Sequence, residues 1–379
     1  MKKIGLDENF YFQEGKLFIN NIYCLLAPIH TSIVMYDYLS KNHPIILKKQ
    51  LIRLKEISYA LSEHIKTNHR TKLDKNNILE NLKILNSLGI GKIELIRNNN
   101  GSIYLFKCQN PIFSILSENI LNNKNYENNC FDFFTEYFLL GMLESITQKK
   151  VISKSFKKIN TNYFEYKILK NKNNSQIKNN FNFEKRNLKN KLNPIIERVI
   201  LNEHLKNKNG ILHIWGMNVI AIPIEIFKIE DFKKNNEIKS YFKIIGETQG
   251  KAAYQIIANL FGSQKENLKT FQNICYQTEL IGVGKTELLI FDEKKKIIKV
   301  KFYQDLIFED GILTIIGYYL IGIFHEVLNN IFDEELTYEL ENDNQVTFKS
   351  ENKKYFFSKE KEKLSEYMGI NAITKSSVK

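Results

Sequence analysis

Gly282-Val283-Gly284-Lys285-Thr286-Glu287-Leu288-Leu289 is the stretch on which the reading of this chain turns. Its Gly284-Lys285-Thr286 segment invites comparison with a phosphate-binding loop. That loop runs Gly-x-x-x-x-Gly-Lys-Ser/Thr between a strand and a helix, so that backbone N–H groups wrap the phosphates. The first glycine of the pattern would fall at position 279, where the chain has Glu279, an acid that repels phosphate. The hydrophobic spacing also puts a helix before the stretch and a strand after it, the reverse of the required order. Upstream, Gly89-Ile90-Gly91-Lys92-Ile93-Glu94-Leu95-Ile96 has the same arrangement, with Ile93 at the threonine position. The stretch therefore reads as a structural turn used twice.

Outward from this pair, the two halves of the chain match in order. Gly15, Leu17, Ile19, Ile22 and Pro28 recur 195 positions later as Gly210, Leu212, Ile214, Met217 and Pro223. Alternating apolar positions line one face of a strand, and proline ends the element because it cannot donate to a ladder. Leu47, Leu51, Leu54, Ile57, Ser58 and Leu61 then follow the spacing of an amphipathic helix. Its counterpart runs from Tyr241 to Leu260 and carries Gly246 and Gly250 on one face. A glycine inside a helix costs about 1 kcal/mol against alanine. Two readings explain the pair: close helix packing, or room for a ligand beside the backbone. A second helix in each half pairs Ile78, Leu82, Leu85 and Leu88 with Leu268, Phe271, Ile274 and Cys275, and each enters the Gly-x-Gly turn. A hairpin follows, with Asn98-Asn99-Asn100-Gly101 as the turn in the first half. Then come an apolar helix, Tyr137–Glu144 or Tyr318–His325, and a closing β-pair. The first half lacks the glycine pair, with Leu51 to Lys55 in that region, and reads as a degenerate copy.

The chain has 379 residues, enough for two cores, and a formal charge of +13. Between Lys167 and Lys191 stand eight Lys/Arg and one acid, Glu184. Lys178, Lys185, Arg186, Lys189 and Lys191 form a candidate nucleic-acid contact. The plainer reading of this Asn/Lys-rich stretch is a solvated linker. Cys24, Cys108, Cys130 and Cys275 are far apart and make no Cys-x-x-Cys pair, which excludes a zinc ribbon and a redox dithiol. The seven histidines make no metal-ligand pair with a general base, and no Gly-x-Ser-x-Gly elbow occurs. The N-terminus carries Asp7, Glu8 and Glu14 before any long apolar run, so no signal peptide is expected. The apolar runs Ile211–Phe227 and Gly311–Phe324 are interrupted or too short to span a bilayer.

The order of the second half resembles the 4-vinyl reductase domain family. The resemblance rests on a helix with Gly246 and Gly250, a second helix, Gly-x-Gly opening a hairpin, an apolar helix with Gly317 and Gly322, and a closing β-pair ending in Phe348. That fold is shared by TRAPP vesicle-tethering subunits and distantly by haem NO-binding domains. The resemblance implies a mixed α+β domain that binds a small hydrophobic molecule between helices and a twisted antiparallel sheet. Relatives often carry cysteines in the closing pair, where this chain has Tyr338, Glu339 and Val346.

The resulting expectation is an α+β protein of two tandem copies. Residues 1–170 form the first copy, 171–208 a basic linker and short helix, 209–358 the second copy, and 359–379 a charged tail. The expected role is cytoplasmic, non-enzymatic binding or sensing of a small hydrophobic molecule, with no cofactor, no metal and no membrane span. The candidate ligand-binding residues are Gly246, Gly250, Tyr254, Gly317, Ile321, Gly322, Phe324 and His325. The alternative is a protein-interaction scaffold, or a regulator touching nucleic acid through the linker. A pseudo-dimer between the copies is also expected.

Overall fold

The computed structural model of the chain describes residues 10–13, 16–19, 21–69, 74–99, 101–111, 132–158, 161–173, 205–208, 210–214, 217–261, 267–303, 306–309, 312–341 and 344–367. Among the described residues are nine helices and four antiparallel sheets, an α+β fold. They fall into two compact units. Unit 1 takes 10–11, 18–173 and 205–226, and unit 2 takes 12–17 and 227–367. The main boundary therefore lies between Ile226 and Phe227 rather than at the expected 208/209.

Unit 1 centres on β3 (Ile22–Pro28) and β10 (Met217–Pro223), which pair antiparallel within a sheet of six. Its order is β1 (Phe10–Gln13), β2 (Lys16–Ile19), β3, β10, β9 (Ile211–Ile214) and β8 (Leu205–Lys208). The two strands that matched in sequence are thus hydrogen-bonded neighbours. Their register places Leu26 opposite Ala221, its own counterpart 195 positions on, with Pro28 opposite Val219 and Cys24 opposite Pro223. Such reciprocity, in which i meets j and j's counterpart meets i's, is the pattern of an isologous contact. Strand β8 lies inside the stretch expected to be linker.

Helix α1 (Ile29–Asn42) follows β3 directly. It was not foreseen, because Thr31, Ile33 and Val34 are β-branched and weak helix formers. Burial overrides propensity here: Ile29, Ile33, Tyr36 and Leu39 all face the core. Then come α2 (Pro44–His69), α3 (Asp74–Ser87), β4 (Lys92–Asn99), β5 (Ile103–Gln109), α4 (Phe133–Thr147), β6 (Lys149–Lys158) and β7 (Thr161–Asn173). The second sheet has the order β4-β5-β7-β6.

Unit 2 opens with a 3-10 turn (Ile224–Phe227) shared with the boundary, then α5 (Glu230–Lys234), α6 (Asn236–Phe261) and α7 (Asn267–Leu280). Next are β11 (Thr286–Asp292), β12 (Ile297–Phe302), the short pair β13 (Phe308–Glu309) and β14 (Ile312–Leu313), and α8 (Ile315–Phe332). β15 (Glu334–Glu341), β16 (Gln345–Lys354) and α9 (Lys359–Tyr367) complete it. Its sheet has the order β11-β12-β16-β15, the same as the second sheet of unit 1. Helices α3 and α7 are both 14 residues long and end at the same distance from the Gly-x-Gly turn. This pairs Ile78 with Phe271 and Leu82 with Cys275, three and four residues out of step with the pairing expected from periodicity alone.

The opening stretch is a turn. Gly282 and Gly284 have φ of 84° and 109°, and Gly89 and Gly91 have 87° and 124°, values that favour glycine. The Val283 amide donates to the Thr278 carbonyl at 2.9 Å, and the Thr278 hydroxyl reaches the Gly284 carbonyl at 2.9 Å. A helix precedes the turn and a strand follows it, as the spacing requires.

Helix α8 is longer than the apolar run suggested. It continues through His325 and Glu326 for 18 residues and is, by length and composition, apolar enough to cross a membrane. It is 72% buried inside unit 2, where Phe324 packs on Phe271 and Phe302 at 5.5 and 5.8 Å between ring centres. Thr314 caps it, its hydroxyl accepting from the Gly317 amide at 3.1 Å, a contact worth about 1 kcal/mol.

Candidate functional site

The residues expected to bind a ligand come together, but not around a space. Gly246 on α6 and Gly322 on α8 face each other where the helices cross. A methyl added to Gly246 would meet the Tyr319 carbonyl and, at 3.2 Å, the Gly322 Cα. One added to Gly322 would meet the Lys243 carbonyl and the Glu247 amide at 2.9 Å. Gly250 lies against the Ile323 carbonyl in the same seam, and Gly317 against Ile307 and Leu313. The missing side chains are replaced by the neighbouring backbone. Close packing, and not room for a ligand, is what these glycines provide. Ile321 and Phe324 are fully buried core residues. Tyr254 is half-buried on α6, outside the glycine crossing.

The first half solves the same crossing differently. Gly141 of α4 meets the Lys55 carbonyl and Ser58, and the Ser58 hydroxyl donates to the Phe138 carbonyl at 2.6 Å. Ser58 therefore stands where unit 2 has Gly246, and buried Ser62 one turn later corresponds to Gly250. Small residues are present in both halves, so the first is not degenerate at this seam. Sequence spacing missed the equivalence because the packing places Ser58 and Ser62, seven residues or two turns beyond Leu51 and Lys55, opposite the glycine pair.

His325 belongs to a buried charged network. Its Nδ1 lies 2.9 Å from Glu247 Oε1 and its Nε2 2.5 Å from the Leu336 carbonyl. Both ring nitrogens thus face acceptors, leaving neither free to take a proton from a substrate. Lys243 and Lys361 approach Glu247 at 3.1 and 3.0 Å. Burial pushes the Glu247 carboxyl up, but the His325 hydrogen bond and the two ammonium groups outweigh it and hold the carboxyl at about 2. Neighbouring Glu326 is fully buried; burial raises its pKa against the pull of Lys361, Tyr355 and Asn330. The Tyr355 hydroxyl donates to Glu326 at 2.6 Å. Burial and then the Glu326 charge raise that phenol.

An open cleft of about 420 Å³ lies elsewhere in unit 2. Its apolar walls are Phe227, Phe232, Leu306, Phe308, Ile315 and Ile316, with Lys228, Lys233, Glu309 and Thr314 adding polar groups. Lys233 pairs with Glu309 at 3.0 Å. The 3-10 turn and α5 supply one wall, the β13–β14 pair another, and the capped start of α8 the end. None of these residues was singled out from sequence. The spacing Phe227 to Phe232 across a short polar helix was the available signal, and it was absorbed into the boundary of an apolar run.

Thiol and metal chemistry find no support among the described residues. Burial pushes the Cys24 thiol far up and the Cys275 thiol up to about 12, so neither forms a reactive thiolate. No group of three or more His, Cys, Asp or Glu that could hold a metal occurs among the described residues. The basic set Lys178, Lys185, Arg186, Lys189 and Lys191 lies outside them. Compared with protein-family models, with curated proteins and with solved structures, the chain finds no match.

Proposed function

We propose that the chain is a non-enzymatic binding protein built from two copies of one domain of the 4-vinyl reductase type. In this reading the second copy holds a small apolar molecule in the cleft between Phe227 and Ile316. The cleft carries the proposal. Its volume of about 420 Å³ falls in the range of small-molecule sites, and its exposed lining divides about evenly between apolar groups and the polar groups of Lys228, Lys233, Glu309 and Thr314. A ligand with an acidic end would take the Lys233 ammonium in exchange for Glu309, its partner in the cleft wall. Two copies are supported by the shared sheet order, the equal lengths of α3 and α7, and the reciprocal β3–β10 register. A non-catalytic role is supported by the engaged nitrogens of His325 and the inert thiols.

The test is organic extraction of purified protein followed by mass spectrometry, alongside native mass spectrometry of the full chain with a fatty acid and with its methyl ester. Retention of one apolar molecule per chain, with the acid held better than the ester, is the expected result. A folded chain that retains neither overturns the reading.

A protein-interaction scaffold is the second reading, and one observation favours it. The edge strands β4 and β11 each carry a bulge, and the bulged residues Ile96 and Leu289 occupy the same place in the two halves. They are 51% and 41% exposed. Large apolar side chains at matching edge positions suit contact with another chain. Substituting both with lysine would abolish co-purification of a partner under this reading and leave ligand retention unchanged.

A further inference from the structure

The charged tail expected beyond residue 358 is in part a packed helix, and its anchoring is unusual. Helix α9 has nine residues, Lys-Glu-Lys-Glu-Lys-Leu-Ser-Glu-Tyr, fewer than an isolated helix needs to persist in water. Among its described side chains there is little apolar surface: Lys359, Glu362, Lys363 and Glu366 are exposed, and Leu364 is only half-buried. Ser365 is buried with its hydroxyl lacking any hydrogen-bond partner, which weakens the packing further. What holds the segment is polar. Lys361 reaches between two helices, to Glu247 of α6 at 3.0 Å and to Glu326 of α8 at 3.5 Å. Tyr355 bonds to Glu326, and the Lys251 ammonium sits 3.7 Å from the Phe357 ring centre.

Beneath the segment is a slot of two carboxylates that is poorly served without it. Glu247 keeps His325 and Lys243. Among the described residues, Glu326 keeps only Asn330 of α8 as a side-chain donor outside the segment, since its other partners are Tyr355 and Lys361. An acid buried this deeply with no cation beside it is strongly disfavoured. The slot therefore selects for an inserted ammonium or guanidinium group.

We propose that Tyr355–Ser365 is a releasable strap, with Lys361 as an internal occupant of the Glu247/Glu326 slot, and that a lysine- or arginine-bearing segment of a partner protein takes the slot when the strap leaves. The slot lies on α6 and α8 and the strap on α9, so this inference stands apart from ligand binding in the cleft.

The test uses the full chain carrying Lys361→Met, compared with wild type and with Lys361→Arg. In hydrogen exchange, the amides of α9 should exchange at least ten-fold faster in the Met variant while those of α8 keep wild-type protection. The Arg variant should behave as wild type. A fluorescein-labelled peptide of residues 353–367, added in trans, should bind the Met variant at least ten-fold tighter than wild type, and the same peptide with Lys361→Met should not. Unchanged α9 exchange in the Met variant overturns the proposal. So does loss of protection throughout unit 2, which would make α9 part of the core, and so does failure of the basic peptide to bind an α9-released chain.

Discussion

His325 and Glu247 show how one residue can mislead when read alone. His325 stands among the candidate ligand-binding residues, yet both its nitrogens are bonded inside unit 2. Removing it with His325→Leu leaves Glu247 buried beside one fewer donor, and should cost about 3 kcal/mol in urea unfolding at pH 7. The acid limb of stability carries the opposite signature at the two neighbouring carboxyls. Glu247 has its pKa depressed to about 2, so its contribution is present above the unfolded value near 4.5 and is lost as pH falls from there toward 2. Glu326 has its pKa raised, so its contribution is present below the unfolded value and is lost as pH rises through the folded one. Unfolding between pH 2 and 7 should therefore show a shallower acid limb in Glu247→Gln than in wild type, and a steeper one in Glu326→Gln. Equal slopes in all three proteins would contradict the network.

At the scale of elements, the glycine seam between α6 and α8 decides how the helices cross. Gly322→Leu places a side chain into the Lys243 carbonyl, and should destabilise the chain by about 3 kcal/mol or more. Ser58→Ala at the corresponding place in the first half removes one buried hydrogen bond and should cost about 1 kcal/mol. A destabilisation by Gly322→Leu below that of Ser58→Ala would show that the seam is loose. Much of this level was readable from residues. The Asn98–Gly101 turn, the Gly-x-Gly helix stops and the apolar periodicity of α4 and α8 each depend on local chemistry. The two-turn displacement of α2 against α6 was not readable, because Leu54 and Leu61, seven residues apart, satisfy the same helical stripe in either alignment. Helix α1 was hidden for a different reason: its β-branched residues are helical only because the core covers them. The cleft was hidden too, since its walls come from four short elements that have no shared period.

For the whole molecule, the described residues divide between Ile226 and Phe227, while the sequence reading drew its border at 208/209. Strand β8 lies within the expected linker and β9 and β10 follow it, yet all three belong to unit 1, where β10 pairs with β3. A fragment starting at residue 209 thus carries the β9–β10 pair without β8 and β3 and should self-associate through the open edge of β10. A fragment starting at residue 227 should be monomeric by light scattering and should unfold cooperatively. The reverse outcome would move the boundary back to 208/209. A folded unit 2 leaves its cleft as the place where the proposed binding role stands or fails. The most direct measurement is a fluorescence titration of the full chain with an apolar carboxylate probe, in wild type and in Ile316→Trp, which fills the cleft without adding charge. One saturable site per chain in wild type, lost in an Ile316→Trp chain that keeps its circular dichroism spectrum, is the predicted result. Equal binding by both proteins, or no saturable binding by the folded wild type, would contradict it.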